Sequence, residues 1–236
     1  MKILYLDCTG GISGDMVLNV LTDLTGEREK IMKKTETSLF PHERACENDH
    51  SHVHAESGHG RSYEDVIHII RKSGFSDAAK ATAMKIYGYI AEAEAKVHGM
   101  TLETVHFHEV GRDEAVKNAL GIGMALEVIA PDRVEVSPIY DGSGTVVCSH
   151  GEIPVPVPAV MALRENCSYR FMTADVDTEM VTPSGLAAVM GIDAVNGHMR
   201  GKVKAEAEAA GGRDTGRDGL KGYIIETEED RSDVTE

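Results

Sequence analysis

The sequence predicts an α+β or irregular α/β fold in which helices flank a mixed sheet. Short apolar runs typical of strands and longer helical patterns both occur, and they do not follow a regular strand–helix alternation. At 236 residues, with 42% hydrophobic and 27% charged residues, the chain is long enough to bury a core. We expect one globular unit over residues 1–227 and a disordered acidic tail over residues 228–236, where apolar residues are nearly absent.

The N-terminal segment predicts a strand, a glycine loop and a helix. Residues 1–8 form a short apolar run that breaks at Thr9-Gly10-Gly11, which is the pattern of a buried strand entering a tight turn. Helical periodicity follows from Gly14 and ends near Gly26. The segment therefore places a loop at the N-terminus of a helix, immediately after a strand.

Residues 27–60 break this regularity. Periodicity fades after Glu27, and the pattern allows a short helix as far as Leu39. Polar residues and histidines dominate from there to Gly60. We therefore expect residues 27–60 to be a mobile, disordered His-rich insertion.

The rest of the chain mixes helical periods with β-branched runs and turn residues. The expected helices cover residues 61–73, 77–98, 110–129 and 159–164, with another after Thr182. The expected strands cover residues 104–108, 133–138, 145–149, 198–209 and 220–227, although the alternation of Ala and Glu from Ala205 could equally be helical. The glycines of Asp141-Gly142-Ser143-Gly144 predict a hairpin between the strands at 133–138 and 145–149.

Charge and cysteine content exclude several classes of protein. The chain has 24 Lys and Arg against 39 Asp and Glu, a net charge of −15, with no basic cluster, so no nucleic-acid partner is expected. The four cysteines are far apart and form no C-x-x-C pair, which indicates a reducing, cytoplasmic compartment. No signal peptide is apparent, and no apolar stretch approaches the ~20 residues of a membrane-spanning helix. No membrane partner is therefore expected.

The loop from Gly10 to Asp15 is the first candidate site. Its backbone N–H groups, at the positive end of a helix dipole, could hold a phosphate. Asp7, at the C-terminal end of the preceding strand, lies where ligands usually bind in α/β sheets. The spacing matches neither a Walker loop nor a dinucleotide fingerprint. A tight turn capped by Ser13 or Asp15 explains the same residues equally well.

A cluster of metal-ligand side chains inside the insertion is the second candidate. Imidazole suits Ni, Zn, Cu and Co, and an extended loop can deliver several nitrogens to one ion. A polar linker with incidental histidines is the alternative. The cluster consists of His42, Cys46, His50, His52, His54 and His59.

The segment His106-Phe107-His108-Glu109 is the third candidate. In an extended chain His106 and His108 project to the same side, and Glu109 lies near the start of the next helix. Two nitrogens and a carboxylate can bind a metal or accept a proton. The order is not the H-E-x-x-H of zincins, and His98 is explained as a partner of a helix dipole.

Two further segments place polar side chains at junctions between elements. They are Ser149-His150-Gly151-Glu152 and Thr182-Pro183-Ser184-Gly185, and ligands tend to bind at such junctions. A turn and a helix cap explain them equally well. No G-x-S-x-G motif is present, so a serine hydrolase is a poor fit.

Several blocks occur in a fixed order along the chain: Asp7–Met16, Arg61-Ser62-Tyr63 after the histidine loop, Ala91–Gly99, Val105–Gly111, His150–Pro156 and Thr182–Gly185. Together they resemble the nickel insertion protein of lactate racemase maturation. The resemblance covers most of residues 1–190, and Gly211-Gly212-Arg213-Asp214 continues it weakly.

The resemblance implies a nickel chelatase that inserts Ni²⁺ into pyridinium-3,5-bisthiocarboxylic acid mononucleotide and consumes CTP with Mn²⁺ or Mg²⁺. This chemistry needs a nickel donor, a phosphate cradle and a base for the ring proton. The residues expected to serve are His108, Glu109 and Asp7 as catalytic groups; Gly11, Ser13, Gly14, Asp15, Thr182 and Ser184 for the substrate and its phosphate; and His106, His108, His50, His52, His54 and His59 for the metal.

The chain departs from the family pattern in two respects. Gly111-Arg112-Asp113-Glu114 and Asn118 stand where the family pattern has two aspartates four residues apart, so a carboxylate pair is altered. Family members also continue into a C-terminal domain that binds CTP, so we expect a companion chain to supply it. Homo-oligomerisation is left open.

Two other functions compete with the chelatase. In the first, the chain is a non-enzymatic nickel store or metallochaperone whose insertion binds the metal. In the second, it is a phosphate-ester or nucleotide hydrolase that uses Asp7 and a metal held by His106 and His108.

Overall fold

The computed structural model describes residues 1–38, 60–108, 110–148 and 151–228. These residues form seven helices and eleven strands. The helices are α1 (Gly14–Thr25), α2 (Arg28–Thr37), α3 (Tyr63–Lys72), α4 (Asp77–His98), α5 (Asp113–Ile129), α6 (Pro158–Arg164) and α7 (Pro183–Gly191). The strands are β1 (Lys2–Asp7), β2 (Arg61–Ser62), β3 (His106–Phe107), β4 (Arg133–Val136), β5 (Ile139–Asp141), β6 (Thr145–Cys148), β7 (Gly151–Pro154), β8 (Phe171–Thr173), β9 (Val195–Asn196), β10 (Lys202–Ala209) and β11 (Leu220–Glu226).

A five-stranded mixed sheet forms the centre of the molecule, with the strand order β10-β11-β1-β4-β9. Strand β1 pairs antiparallel with β11 and parallel with β4. The outer pairs are antiparallel β10–β11 and parallel β4–β9. The N-terminal strand is therefore the middle strand, and the prediction of an α+β or irregular α/β fold with a mixed sheet is confirmed.

The helices pack on one face of this sheet. Helix α1 lies against β10 and β11, α5 and α7 contact α1, and α4 packs against α5, α6 and α7. Because successive strand residues point to opposite faces, Leu4 and Leu6 enter the helical core while Ile3 and Tyr5 do not. Ile3 and Tyr5 join Ile225 in a smaller cluster on the other face.

Most helix ends lie where the sequence places them. Helix α1 ends at Gly26 and α4 at Gly99, both in the left-handed region with φ of 68° and 64°, where glycine is favoured. Helix α2 occupies the start of the predicted insertion, while residues 39–59 of that insertion and 229–236 of the predicted tail lie outside the described residues. Among the described helices, none is long and apolar enough to cross a membrane.

The predicted hairpin between residues 133–138 and 145–149 is wrong. Strand β4 lies between β1 and β9 in the central sheet, and β6 pairs instead with β7. Asp141, in the predicted turn, is buried, and its carboxylate accepts hydrogen bonds from backbone N–H groups far along the chain. The residues that resemble a turn therefore attach the segment around Asp141 to Met180 and Val181. The chain reverses between β6 and β7 instead.

At Gly123 helix α5 lies in close contact with Ala79 near the start of α4, and this contact yields a stability prediction. A Cβ atom at Gly123 would lie 2.5 Å from the carbonyl oxygen of Ala79 and 2.8 Å from its Cα. We therefore expect Gly123→Ala to lower the free energy of unfolding by about 1–3 kcal/mol, the usual cost of overpacking. Chemical denaturation measures this quantity.

Gly88→Ala is the matched control, since Gly88 lies inside α4 but a Cβ there would meet only the Tyr63 hydroxyl, at 3.8 Å. Alanine is the better helix former, so this variant is expected to gain up to about 1 kcal/mol. An equal loss of unfolding free energy in both variants would show that the close contact between Gly123 and Ala79 is not the cause of the loss.

Candidate functional site

Two neighbouring cavities share the lining residues Glu179, Thr182 and Arg213. Cavity A encloses about 420 Å³ and cavity B about 550 Å³, volumes typical of small-molecule sites. At their boundary Arg213 Nη1 lies 2.7 Å from Glu179 Oε2, and the Glu179 side chain is only 7% exposed. This ion pair therefore stands between the two cavities.

Cavity A is lined by the end of α4, the residue after β3, the β6–β7 hairpin and the first residues of α6 and α7. Apolar side chains such as Val97, Val110, Val146 and Ile153 form part of its wall. The polar and titratable residues in the wall are Glu94, His98, His108, Cys148, Glu179, Thr182, Ser184 and Arg213. The cavity thus combines an apolar surface with nitrogen, sulfur and oxygen donors.

His98 and Glu94 form a pair on the last turns of α4. Residues four apart are neighbours on a helix surface, and His98 Nε2 lies 3.3 Å from Glu94 Oε2. The two side chains are 32% and 17% exposed, so the pair is half-buried in the wall of cavity A. His98 is not among the residues predicted to form a site, although the E-x-x-x-H spacing within one predicted helix indicates such a pair.

His106 and His108, which were predicted to face one site, are not brought together there. His108 lines cavity A. His106 is exposed, does not line cavity A, and its Nδ1 lies 2.6 Å from the carbonyl oxygen of Thr104. Phe107 between them is buried against Tyr87.

Only some of the predicted metal ligands are among the described residues. No group of three or more His, Cys, Asp or Glu side chains in the described part of the chain is arranged to hold a metal ion. The remaining predicted groups lie outside the described residues: His50, His52, His54, His59 and Glu109. Within the described residues, cavity A contributes His98, His108 and Cys148 as separate donors.

The first half of the glycine loop is a structural joint. Gly11 N–H donates to the carbonyl of Cys8 at 3.1 Å, and Ile12 N–H donates to Met180 at 2.8 Å. Thr182 N–H returns a bond to the Ile12 carbonyl at 3.0 Å. Gly11 has a φ of 88°, and a Cβ there would lie 2.3 Å from the Met180 oxygen, so only glycine fits. The loop thereby attaches the end of β1 to the segment before α7.

The second half of the loop is closer to the cavities. Ser13 and Asp15 line cavity B, and Gly14 packs against Ser184, whose Oγ would lie 3.1 Å from a Cβ at Gly14. The N–H groups of the first helical turn have no acceptor within their own helix. Ser184 in turn lies 3.1 Å from Thr182 through their hydroxyl oxygens. Of the predicted substrate-binding residues, Ser13, Asp15, Thr182 and Ser184 therefore line one or both cavities.

Asp7 lies apart from both cavities. Its side chain lies on the same face of the sheet as Tyr5, opposite the helices. Burial is the main cause that raises the pKa of Tyr5, and the negative charge of Asp7 raises it further. One Asp7 carboxylate oxygen accepts a hydrogen bond from Thr9 N–H at 3.0 Å. Asp7 is not a lining residue of cavity A or cavity B, so the structure does not bring it to His108.

The residues that depart from the family pattern lie at the start of α5. Asn118 lines a small cavity of about 60 Å³ together with Gly14 and Asp15. Asp113 Oδ1 lies 2.5 Å from Arg61 Nη1. Asp15 therefore shares its cavity with an amide at position 118, and the nearby carboxylate of Asp113 is paired with a guanidinium.

The buried carboxylate of Asp141 holds the backbone that forms the wall between the two cavities. Its Oδ1 accepts hydrogen bonds from the N–H groups of Gly142, Met180 and Val181 at 2.9, 3.2 and 3.1 Å. Its Oδ2 accepts from Arg164 Nη2 at 2.8 Å. Burial raises the pKa of Asp141, and the Met180 N–H, Arg164 and the Val181 N–H oppose that rise. The carboxylate thus holds the backbone next to Glu179 and Thr182.

The chain matches the model of a family described as nickel insertion protein over residues 4–235. It belongs to the nickel insertion protein family. The resemblance carried by the ordered sequence blocks is therefore confirmed. No solved structure matches the chain significantly.

Curated relatives in the nickel insertion protein family are longer than this chain. The relative from Acetivibrio thermocellus is 34% identical over 241 residues, which is 92% of this chain and 58% of the relative. The relative from Akkermansia muciniphila is 33% identical and covered to 62%, and that from Clostridium kluyveri is 37% identical and covered to 53%. All three are named pyridinium-3,5-bisthiocarboxylic acid mononucleotide nickel insertion protein. The chain spans about half to three-fifths of their length.

Replacing Asp141 by Asn tests its role in holding the cavity wall. The change removes the charge that pairs with Arg164, whose side chain is 18% exposed. Breaking a buried ion pair by removing one partner costs about 3–5 kcal/mol, so we expect a loss of unfolding free energy of that order in chemical denaturation.

Asp175→Asn makes the same chemical change at an exposed residue and should stay within about 0.5 kcal/mol of the parent. If both variants were equally stable, the buried carboxylate would not be what fastens the Met180 segment.

Proposed function

We propose that this chain acts as a nickel chelatase that inserts Ni²⁺ into pyridinium-3,5-bisthiocarboxylic acid mononucleotide. The supporting observation is cavity A, where the imidazoles of His98 and His108 and the thiol of Cys148 lie with the hydroxyls of Thr182 and Ser184. Imidazole and thiolate both suit Ni²⁺. The chain belongs to the nickel insertion family, and its relatives carry this substrate in their names.

In this proposal the substrate itself completes the nickel coordination. Insertion forms two nickel–sulfur bonds and one nickel–carbon bond, and the ring carbon releases its proton to a base. We assign the base to His108 or Glu109, and we leave Asp7 out because it lies apart from cavity A. A site with few protein ligands lets the metal pass to the sulfur atoms of the substrate, and the described donors of cavity A form no closed group of three.

The position of the insertion supports a role in supplying nickel. Gly60, the first described residue after it, packs so closely that a Cβ there would lie 2.1 Å from the Phe107 carbonyl oxygen. Arg61 then pairs with Phe107 across β2 and β3. The chain therefore leaves the insertion beside His106 and His108. We propose that the insertion histidines, namely His50, His52, His54 and His59, pass Ni²⁺ to this segment, with exposed His106 as an acceptor.

CTP with Mn²⁺ or Mg²⁺ completes the proposed reaction in the cytoplasm. We place the CTP site in the part of the longer relatives that this chain does not match, carried by a companion chain. The coverage of those relatives, 58% and 62%, leaves room for such a part.

A nickel store or metallochaperone is the second candidate function. The observation that favours it is the lack, within the described residues, of a group of three metal-ligand side chains, while histidines cluster in the insertion. The hydrolase has no such support, because Asp7 and His108 do not line a common cavity.

Nickel transfer separates the two functions. We expect His108→Ala to retain most of the bound nickel but to form the nickel–pincer product at least about 10²-fold more slowly, the usual loss when a general base is removed. His68→Ala is the matched control, because His68 is exposed and lines neither cavity, and its rate should stay close to that of the parent. Product is measured by mass spectrometry with CTP, Mg²⁺ and the companion chain present.

Equilibrium nickel binding completes this experiment. The His50/His52/His54→Ala variant should lose the nickel ions that the insertion binds, whereas His108→Ala should retain them. Equal transfer rates for His108→Ala and His68→Ala would remove His108 from the reaction. A parent that binds nickel only through the insertion and transfers none would make this chain a carrier.

A further inference from the structure

Cavity B differs from cavity A in its chemistry. It lies between the glycine loop after β1 and residues 210–219, and it contains no histidine or cysteine among its described lining residues. Glycine backbone contributes much of its wall, through Gly10, Gly211, Gly212 and Gly219. Two arginines, Arg213 and Arg217, complete it. A wall of glycine backbone, exposed at Gly211 and Gly212, together with guanidinium groups is suited to an anion rather than to a soft metal ion.

Arg217 is not neutralised by a carboxylate among the described residues. Its Nη1 donates to the Thr9 carbonyl at 3.5 Å, and its guanidinium lies 5.8 Å from the centre of the Tyr140 ring. No described Asp or Glu oxygen lies within 4.0 Å of it, whereas Arg213 is paired with Glu179 at 2.7 Å. In a chain of net charge −15, such a guanidinium in a cavity wall is available to an anionic ligand.

The N-terminus of α1 contributes to the same cavity through Ser13 and Asp15. Helix N-termini carry a partial positive charge, which adds to that of Arg217. Among the carboxylates of the cavity, Glu179 is paired with Arg213 and Asp218 with Lys221. Asp15 and Asp214 also line it, and their charge favours a phosphate that is bound together with Mg²⁺.

We infer that cavity B is the subsite for the phosphate of a pyridinium mononucleotide, with Arg217 as its principal cationic ligand. The two cavities share the lining residues Glu179, Thr182 and Arg213, and we place one ligand across this boundary. The ring then lies among the donors of cavity A and the phosphate in cavity B. This inference rests on the proposed function, since it names where the phosphate of that substrate binds.

Two probes test the inference: nicotinic acid mononucleotide and nicotinic acid riboside, which differ only by a phosphate. Equilibrium titrations of the full chain, with and without Mg²⁺, give the ratio of their dissociation constants. The parent is expected to bind the mononucleotide at least about tenfold more tightly, as a charge-assisted pair worth about 1.4 kcal/mol or more requires. Arg217→Gln should bring the ratio close to one and leave the affinity for the riboside unchanged.

Arg170→Gln is the matched control, because Arg170 is exposed, lines neither cavity and carries the same charge. It should keep the parental ratio, which separates a local contact from the overall change in charge. Unchanged riboside binding in Arg217→Gln also shows that the variant is folded.

The possible failures are distinguishable. If the parent binds both probes equally, or if Arg217→Gln keeps the preference for the mononucleotide, the phosphate subsite is overturned while the nickel chemistry of cavity A stands. If the parent binds neither probe, the subsite and the placement of the pyridinium ring both fall. The transfer rate of His108→Ala is measured without reference to either probe and judges the proposed function alone.

Discussion

The carboxylate of Asp141 is the interaction on which both cavities depend. Burial makes an ionised group costly unless hydrogen bonds replace its water, and here backbone N–H groups from Met180 and Val181 supply two of them. The same backbone bonds to Ile12 in the loop after β1. Asp141 therefore holds the wall between the cavities although it lines neither of them. The position of the glycine loop depends on the same residue, because the loop is bonded to the backbone that Asp141 holds.

Under the proposed function, the two cavities divide the chemistry that a metal-accepting nucleotide requires. Soft and borderline donors lie on one side of the Glu179–Arg213 pair, and cationic and backbone groups on the other. A protein that hands its metal on cannot hold it in a closed cage, whereas it must hold the acceptor firmly. The distribution of donors is consistent with that requirement, since among the described residues cavity A has no group of three metal-ligand side chains and cavity B has a guanidinium without a carboxylate partner.

Local features of the fold were predictable from the sequence, whereas non-local ones were not. The bounds of α4 follow from apolar spacing and Gly99, and the N-terminus of α7 follows from Thr182 and Pro183. The hairpin failed because the partners of Asp141 lie about 40 residues away, a distance that no turn rule covers. His98 was missed because its role depends on Glu94 and on a cavity assembled from distant elements. The family could be predicted from motifs that occur in a fixed order along the sequence, because recognising them requires no knowledge of the structure.

The central position of β1 has a consequence for biosynthesis. Of the described strands β1 is the first in the chain, whereas its antiparallel neighbour β11 is the last, and the Met1 amino nitrogen meets the carbonyl of Thr227, 226 positions along the chain. Contacts of such long range form slowly. Cavity B lies between the residues that follow β1 and those that precede β11, so a nascent chain that has not reached β11 lacks it. The anion that we infer for cavity B can therefore bind only after the segment before β11 has been translated.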